Sequence, residues 1–390
     1  MTISPALRAA NAPLNAFVDF DEAAAPGTGP LNDLTVGVKA NIMVAGLPWT
    51  GGMELYRERI AARDAETVKL LRSKGAAILG MLNMEEAALG SKTDNPWFGP
   101  THNPHRIGHS PGGSSGGSGA AVAAGLCDIA LGTDTMGSVR IPAAHCGVYG
   151  FKPATARVSQ DGLEPADLML DAIGPLARDL DTLERAARAM SDFGDATIDG
   201  GGVTLTDHGV AVEPEVAATF APLTADVAVA RLDWPQSRIR FAGFIHVARA
   251  MAAQFADADP AKLSDHLRKL IAYGPRRKDA DWAADQAILT GVADQVRALV
   301  AHYGFLVLPT APNAAFPHAD AEPAGQADFT CLANIAGLPA LSLPMGWTDD
   351  GLPLGLQIVG AEGQEAGLFA LARQFDSVLC GYRPPATFGY

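Results

Sequence analysis

The chain has 390 residues, 48% hydrophobic and 18% charged, which supplies enough apolar mass for a packed core and excludes a disordered chain or a coiled coil. Twenty-nine basic against 43 acidic residues leave a net charge of −14, which argues against nucleic acid or an anionic membrane as partner. Four cysteines, Cys127, Cys146, Cys331 and Cys380, lie far apart without CxxC spacing. Neither a zinc site nor a disulfide framework is expected from them, and the setting they suit is the reducing cytoplasm.

The first twenty residues carry one basic residue, Arg8, and no continuous apolar block, unlike a signal peptide. Leu34 to Lys39 reads as a short buried strand ending on a lysine. Asp64 to Lys74 reads as a helix, with Ala65, Val68, Leu71 and Arg72 at helical spacing and Gly75 as its stop. Ala76 to Leu82 is an apolar strand, after which a second helix is expected to begin near Asn83. Strand, helix, strand, helix in this order points to an α/β fold with parallel strands.

A glycine-serine loop follows, Gly108-His-Ser-Pro-Gly-Gly-Ser-Ser-Gly-Gly-Ser-Gly119, and runs into a small-residue helix over Ala120 to Gly125. Ile129 to Leu131 is a strand, and Gly132-Thr-Asp-Thr-Met-Gly-Ser-Val-Arg140 is a second glycine-containing loop. The apolar stretch Ala120 to Leu131 is broken by Asp128 and is too short to cross a bilayer. Asp179 to Ser191 is an amphipathic helix. Gly194 to Glu213, rich in Gly and Asp, reads as a surface excursion. Helices are expected over His246 to Ala256 and Asp281 to Tyr303, and a core strand over Phe305 to Leu308, closed by Pro309. Ala340 to Pro344 and Leu354 to Val359 read as a strand pair joined through Asp349-Asp-Gly351. There are no internal repeats and no clear linker, so one domain over 1–390 is expected.

The glycine-serine loop admits three readings. A phosphate-binding loop needs a lysine after its last glycine, and none follows. A nucleophile elbow, Gly-x-Ser-x-Gly, occurs formally around Ser115, but its late histidine is supplied only by His302 or His318. A flexible linker does not lead directly into an apolar packed segment.

Several motifs then recur together. Gly112-Gly-Ser-Ser-Gly-Gly117 precedes the Gly132 to Arg140 loop, with Ser114 and Ser138 twenty-four apart, and Gly37-Val-Lys39 lies upstream. Asn103-Pro104, Ile141-Pro-Ala-Ala144, Cys146-Gly-Val-Tyr-Gly-Phe-Lys-Pro153, Leu170-Asp-Ala-Ile-Gly-Pro175, Leu308-Pro-Thr310, Asn334-Ile-Ala-Gly-Leu-Pro339 and Gly351-Leu-Pro-Leu-Gly-Leu-Gln357 follow in order. Taken together they resemble the amidase signature family, densely over residues 31–180 and again over 306–372.

That resemblance implies an α/β fold, a large mixed β-sheet core covered by helices on both faces. It implies Ser138 as the acyl-forming nucleophile, Ser114 as a bridging serine on a cis Gly113–Ser114 bond, and Lys39 as the ultimate base. A serine hydroxyl is a poor nucleophile near neutral pH and needs an adjacent base. With no histidine in the arrangement, a lysine at the inner end of an apolar strand serves, because lost solvation lowers its pKa. Backbone amides of Thr135, Met136, Gly137 and Ser138 are the implied oxyanion hole. Family substrate contacts also fall on Ser114 and near Ala88. Asp134, Arg140 and Lys152 read as braces for the loop, and His145, Cys127 and Cys146 as core. Two departures stand out: Ala40 where relatives carry an acidic residue, and Met136 where they carry Gly or Ala.

The function implied is hydrolysis of a small-molecule carboxamide, with no metal and no organic cofactor; a homodimer is compatible with it. No HExxH or CxxC spacing is present. The middle, roughly 195–303, is expected to shape the substrate pocket. The alternatives are the amidase subunit of a tRNA-dependent amidotransferase and a catalytically inactive adaptor of the same fold.

Overall fold

The computed structural model describes residues 3–379 and 381–386, so Cys380 lies outside the described residues. Its strands are β1 (Phe17–Phe20), β2 (Thr35–Lys39), β3 (Ala77–Leu82), β4 (Asp94–Asn95), β5 (Gly99–Pro100), β6 (Ile129–Asp134) and β7 (Tyr149–Lys152). These are followed by β8 (Ala172–Ala177), β9 (Val203–Leu205), β10 (Ala228–Ala230), β11 (Leu306–Pro309), β12 (Ala340–Trp347) and β13 (Pro353–Val359). Eleven of them form one mixed sheet in the order β1-β3-β2-β6-β8-β7-β12-β13-β11-β9-β10, while β4 and β5 pair separately. Strand β2 runs parallel to β3 and β6, and β9 runs parallel to β10 and β11. The other pairings in the sheet are antiparallel.

Helices cover both faces because successive strand residues point to opposite sides. Ile129 and Leu131 of β6 pack with Val36, Val38, Val68 and Leu71, the last two from the helix Glu66–Ser73. Ala130 between them packs instead with Ala120 to Ala123 of the helix Gly116–Ala123 and with Ala124 at its end. At the other end of the sheet Leu306 and Leu308 face Val292 and Val296 of the helix Asp279–Tyr303. Val307 points the other way, toward Leu368 and Phe369 of the helix Glu365–Leu379.

The parallel pair β2–β3 was expected from the strand–helix alternation, and the β12–β13 pair from its turn; β6 joins β2 in parallel as well. Three expectations fail. No α-helix follows Asn83, only a single 3-10 turn over Glu86–Ala88. The amides of Glu85 and Ala87 donate instead to Ser114 O (3.0 Å) and Gly51 O (2.9 Å), leaving a tight turn with Ala87 and Ala88 at φ 53° and 59°. The Gly194 to Glu213 stretch is not wholly a surface excursion, because its Val203–Leu205 is the buried β9. The helix expected from His246 starts at Gln236. The helices Arg140–Cys146 and Glu365–Leu379 were not anticipated at all.

The site lies where β2 and β6 both end, at the carboxyl edge of the parallel strands, where α/β sheets commonly place ligands. The glycine-serine loop approaches this edge closely. A Cβ added to Gly117 would sit 2.4 Å from Asn83 O, so only glycine lets the loop seat there.

Candidate active site

Lys39 is the last residue of β2 and has no exposed surface. Its Nζ donates to Ser114 Oγ and to Thr133 Oγ1, each at 2.7 Å. Burial pulls its pKa from 10.5 down to about 7, against the opposing pull of Asp171, Asp134 and Glu85. Ser114 is also fully buried, and the Gly113–Ser114 bond is cis.

Ser138 sits on the loop after β6 and is 9% exposed. The Ser115 amide donates to its carbonyl at 3.2 Å, which ties the two serine loops together. Ser114 Oγ accepts from Lys39 Nζ, and no hydrogen bond links it to the Ser138 hydroxyl among the described residues. Asp134 organises the loop from below. Its carboxylate accepts the amides of Gly137 (2.7 Å) and Val139 (3.2 Å), and the Arg140 guanidinium through Nε (3.0 Å) and Nη2 (2.9 Å). Burial alone would raise its pKa, but Arg140, Lys152 and Asn334 hold it down at about 2. Arg140 reaches on to Gln357 Oε1 (2.8 Å) and Asn334 Oδ1 (2.7 Å).

This arrangement changes the expected oxyanion hole. Gly137 spends its N–H on Asp134, whereas those of Thr135, Met136 and Ser138 donate to nothing among the described residues. Gly137 is needed for space instead: at φ +135° a Cβ would lie 2.2 Å from Thr330 Oγ1. Thr330 Oγ1 in turn donates to Met136 O at 2.7 Å.

Thr135, Met136 and Ser138 open into a cleft of about 130 Å³, together with Ala88, Leu89, Ile141, Ala166, Phe244 and Val247. Ala88 is therefore at the cleft, while Ser114 and Gly137 lie behind its wall. Arg240, Gln326 and Glu322 also line it and were missed from sequence. The available signal was the i, i+4, i+7 spacing of Arg240, Phe244 and Val247 within the helix Gln236–Gln254.

Two buried carboxyls back the site. Asp171 accepts from Thr135 Oγ1 at 2.5 Å, and burial pushes its pKa to about 6. Burial and the charge of Glu322 push Glu85 to about 8. Ser115, the elbow alternative, is buried; its hydroxyl donates to Thr133 O and accepts from Thr133 N–H, both at 3.2 Å. His318 is occupied with Thr101 O at 2.8 Å. Among the described residues no group of three or more His, Cys, Asp or Glu could hold a metal ion, and no helix is long and apolar enough to cross a membrane.

A serine beside a cleft, a second serine behind it and a buried lysine with depressed pKa are the kinds of group that acyl transfer calls for. A family model described as Amidase matches residues 7–199 and 203–369, and the chain belongs to that family. It is 32% identical over 428 aligned positions to a glutamyl-tRNA(Gln) amidotransferase subunit from Exiguobacterium sibiricum, covering 94% of this chain and 88% of that protein. That alignment is longer than the 390 residues of this chain, so the relative carries residues that this chain lacks. The structure of the corresponding glutamyl-tRNA(Gln) amidotransferase subunit from Thermotoga maritima superposes with a TM-score of 0.85 at 25% identity, covering 96% of this chain and 91% of that one. A structure from a vestigial protein complex, described as revealing the origins of an s-triazine catabolic enzyme, reaches 0.87 at 27% identity, with coverage of 97% and 95%.

Proposed function

We propose that this chain is an amidohydrolase, a single domain that cleaves a carboxamide C–N bond through an acyl-Ser138 intermediate in the cytoplasm. The observation that carries the reading is the buried Lys39, with a pKa of about 7, hydrogen-bonded to Ser114. Ser138 Oγ attacks the substrate carbonyl carbon. Its proton passes to Ser114 Oγ while the proton of Ser114 passes to neutral Lys39 Nζ. The oxyanion is met by the amides of Thr135, Met136 and Ser138. Collapse breaks the C–N bond, and the leaving nitrogen takes a proton from Ser114, which recovers one from Lys39. Water then repeats the sequence on the acyl group, releasing a carboxylate and restoring Ser138. The reading requires the Ser138 hydroxyl to turn toward Ser114 when substrate is bound.

The test is ammonia release from a panel of aliphatic, aromatic and ureido amides by the purified chain, with Ser138→Ala as control. Equal release by the control would sink the assignment. The named relatives favour a second reading, the amidase subunit of a tRNA-dependent amidotransferase. Free ammonia released by the isolated chain without a partner protein separates the two. Met136 and the compact middle, about 195–303, favour the stand-alone enzyme.

A further inference from the structure

One wall of the cleft comes from the helix Gln236–Gln254. Phe244 and Val247 extend the apolar lining of Met136, Ile141 and Ala166, but Arg240, one turn earlier on the same face, does not. Arg240 Nε donates to Asp328 Oδ1 at 2.5 Å. Asp328 is buried, 4% exposed, and lies outside the cleft lining. It grips the guanidinium from the side, and both Nη nitrogens are left without an acceptor among the described residues.

Gln326, 2% exposed, lines the same cleft. Its Nε2 donates to Asn313 Oδ1 at 2.8 Å, and its Oε1 is buried with no donor among the described residues. Asn313 sets that orientation, because its Nδ2 is turned to Ala314 O at 2.7 Å and its Oδ1 is therefore the atom that faces Gln326. The cleft thus offers the unused Nη nitrogens of Arg240, while Gln326 Oε1, unpaired among the described residues, is sealed within its wall. A ligand that fills it strips water from these groups, and donors left unpaired then count against binding. The end of a guanidinium matches the two oxygens of a carboxylate. Glu322, the other charged group in the lining, spends Oε1 on the Ser91 amide at 3.0 Å and on the Ser91 hydroxyl, which leaves only its Oε2 without a donor among the described residues.

We infer that the substrate is an amide whose acyl chain ends in a carboxylate, held end-on by the Nη edge of Arg240. The inference rests on the amidohydrolase reading for the reaction, but its binding claim concerns the cleft alone.

The test uses the full chain carrying Ser138→Ala, titrated calorimetrically with three amides of similar size: anionic succinamate, neutral butyramide and cationic 4-aminobutanamide. Succinamate is expected to bind roughly ten- to a hundredfold more tightly than butyramide, as for hydrogen bonds to a charged group. Adding Arg240→Met should bring that ratio toward one. Because that change leaves Asp328 without its partner, Arg240→Lys is the second variant; it keeps the charge, loses the fork and should lower the ratio. Butyramide binding as well as succinamate, no measurable succinamate binding, or 4-aminobutanamide binding best would each overturn the inference. Wild-type turnover of the same three amides is followed in parallel. Absence of ammonia from all of them counts against the amidohydrolase reading, while the binding order still decides the role of Arg240.

Discussion

Lys39 Nζ lies 2.7 Å from Ser114 Oγ, and neither side chain has any exposed surface. A proton moving between them is shielded from bulk water, and the lysine must lose its own proton before it can accept one. Activity should therefore rise with pH, with a midpoint near the pKa of about 7. A histidine base, at about 6.5, would give a similar curve, so variants decide. Lys39→Arg should be folded and inactive, since a guanidinium does not release its proton. Each of the nine histidines, replaced singly, should leave substantial activity. A folded, dead histidine variant beside an active Lys39→Arg would reassign the base.

The same depressed pKa bears on stability. Below pH 7 Lys39 is charged in both folded and unfolded chains, and burial penalises the folded one. Between about 7 and 10.5 the unfolded chain holds the extra proton, so this lysine's contribution rises with pH and its penalty is gone above 10.5. Lys39→Met should therefore abolish activity yet stabilise the fold. The gain should be largest below pH 7 and vanish in alkali. Denaturant midpoints of both proteins across that range measure it. A gain independent of pH would mean that Lys39 is not titrating as described.

Ser138 should be the residue that reacts with a fluorophosphonate. Mass spectrometry should find one adduct on the peptide containing Ser138, and none in Ser138→Ala. An adduct at Ser115 would restore the elbow reading, although that hydroxyl is buried between the amide and carbonyl of Thr133.

Breaking the pair Asp134–Arg140 should be severe. Both side chains have no exposure, and removing one partner of a buried pair costs about 3–5 kcal/mol because the other charge is stranded. Arg140→Met should lower the unfolding free energy, measured by denaturant titration, by that order and reduce kcat, since Asp134 also holds the Gly137 and Val139 amides. Unchanged stability would show that the charges relax elsewhere.

Lys39, Ser114 and Ser138 were legible because each adjoins a glycine-marked strand end or loop. Their order matched a family pattern over much of the chain. What the sequence left hidden depended on competition for hydrogen bonds. Glu85-Glu-Ala-Ala-Leu89 has good helical propensity, yet Ser114 O and Gly51 O take the amides of Glu85 and Ala87. Gly137 looked like an oxyanion donor until Asp134 was seen to hold it. Arg240 was missed because the helix was expected from His246 onward. Arg238 and Arg240 interrupt the apolar period that would have extended it upstream. Strand β9, at three residues, is too short to show any period.

Strand β12 is late in the chain but sits in the interior of the sheet, between β7 and β13, and β13 carries the Gln357 that anchors Arg140. During synthesis the chain owns Lys39, Ser114 and Ser138 long before it owns Asn334 and Gln357. Non-local pairings of this kind form late and slowly. A nascent chain thus holds every reactive group without the frame that aligns them. Until β13 docks, Arg140 lacks its Gln357 acceptor, and the support behind the two serine loops is incomplete.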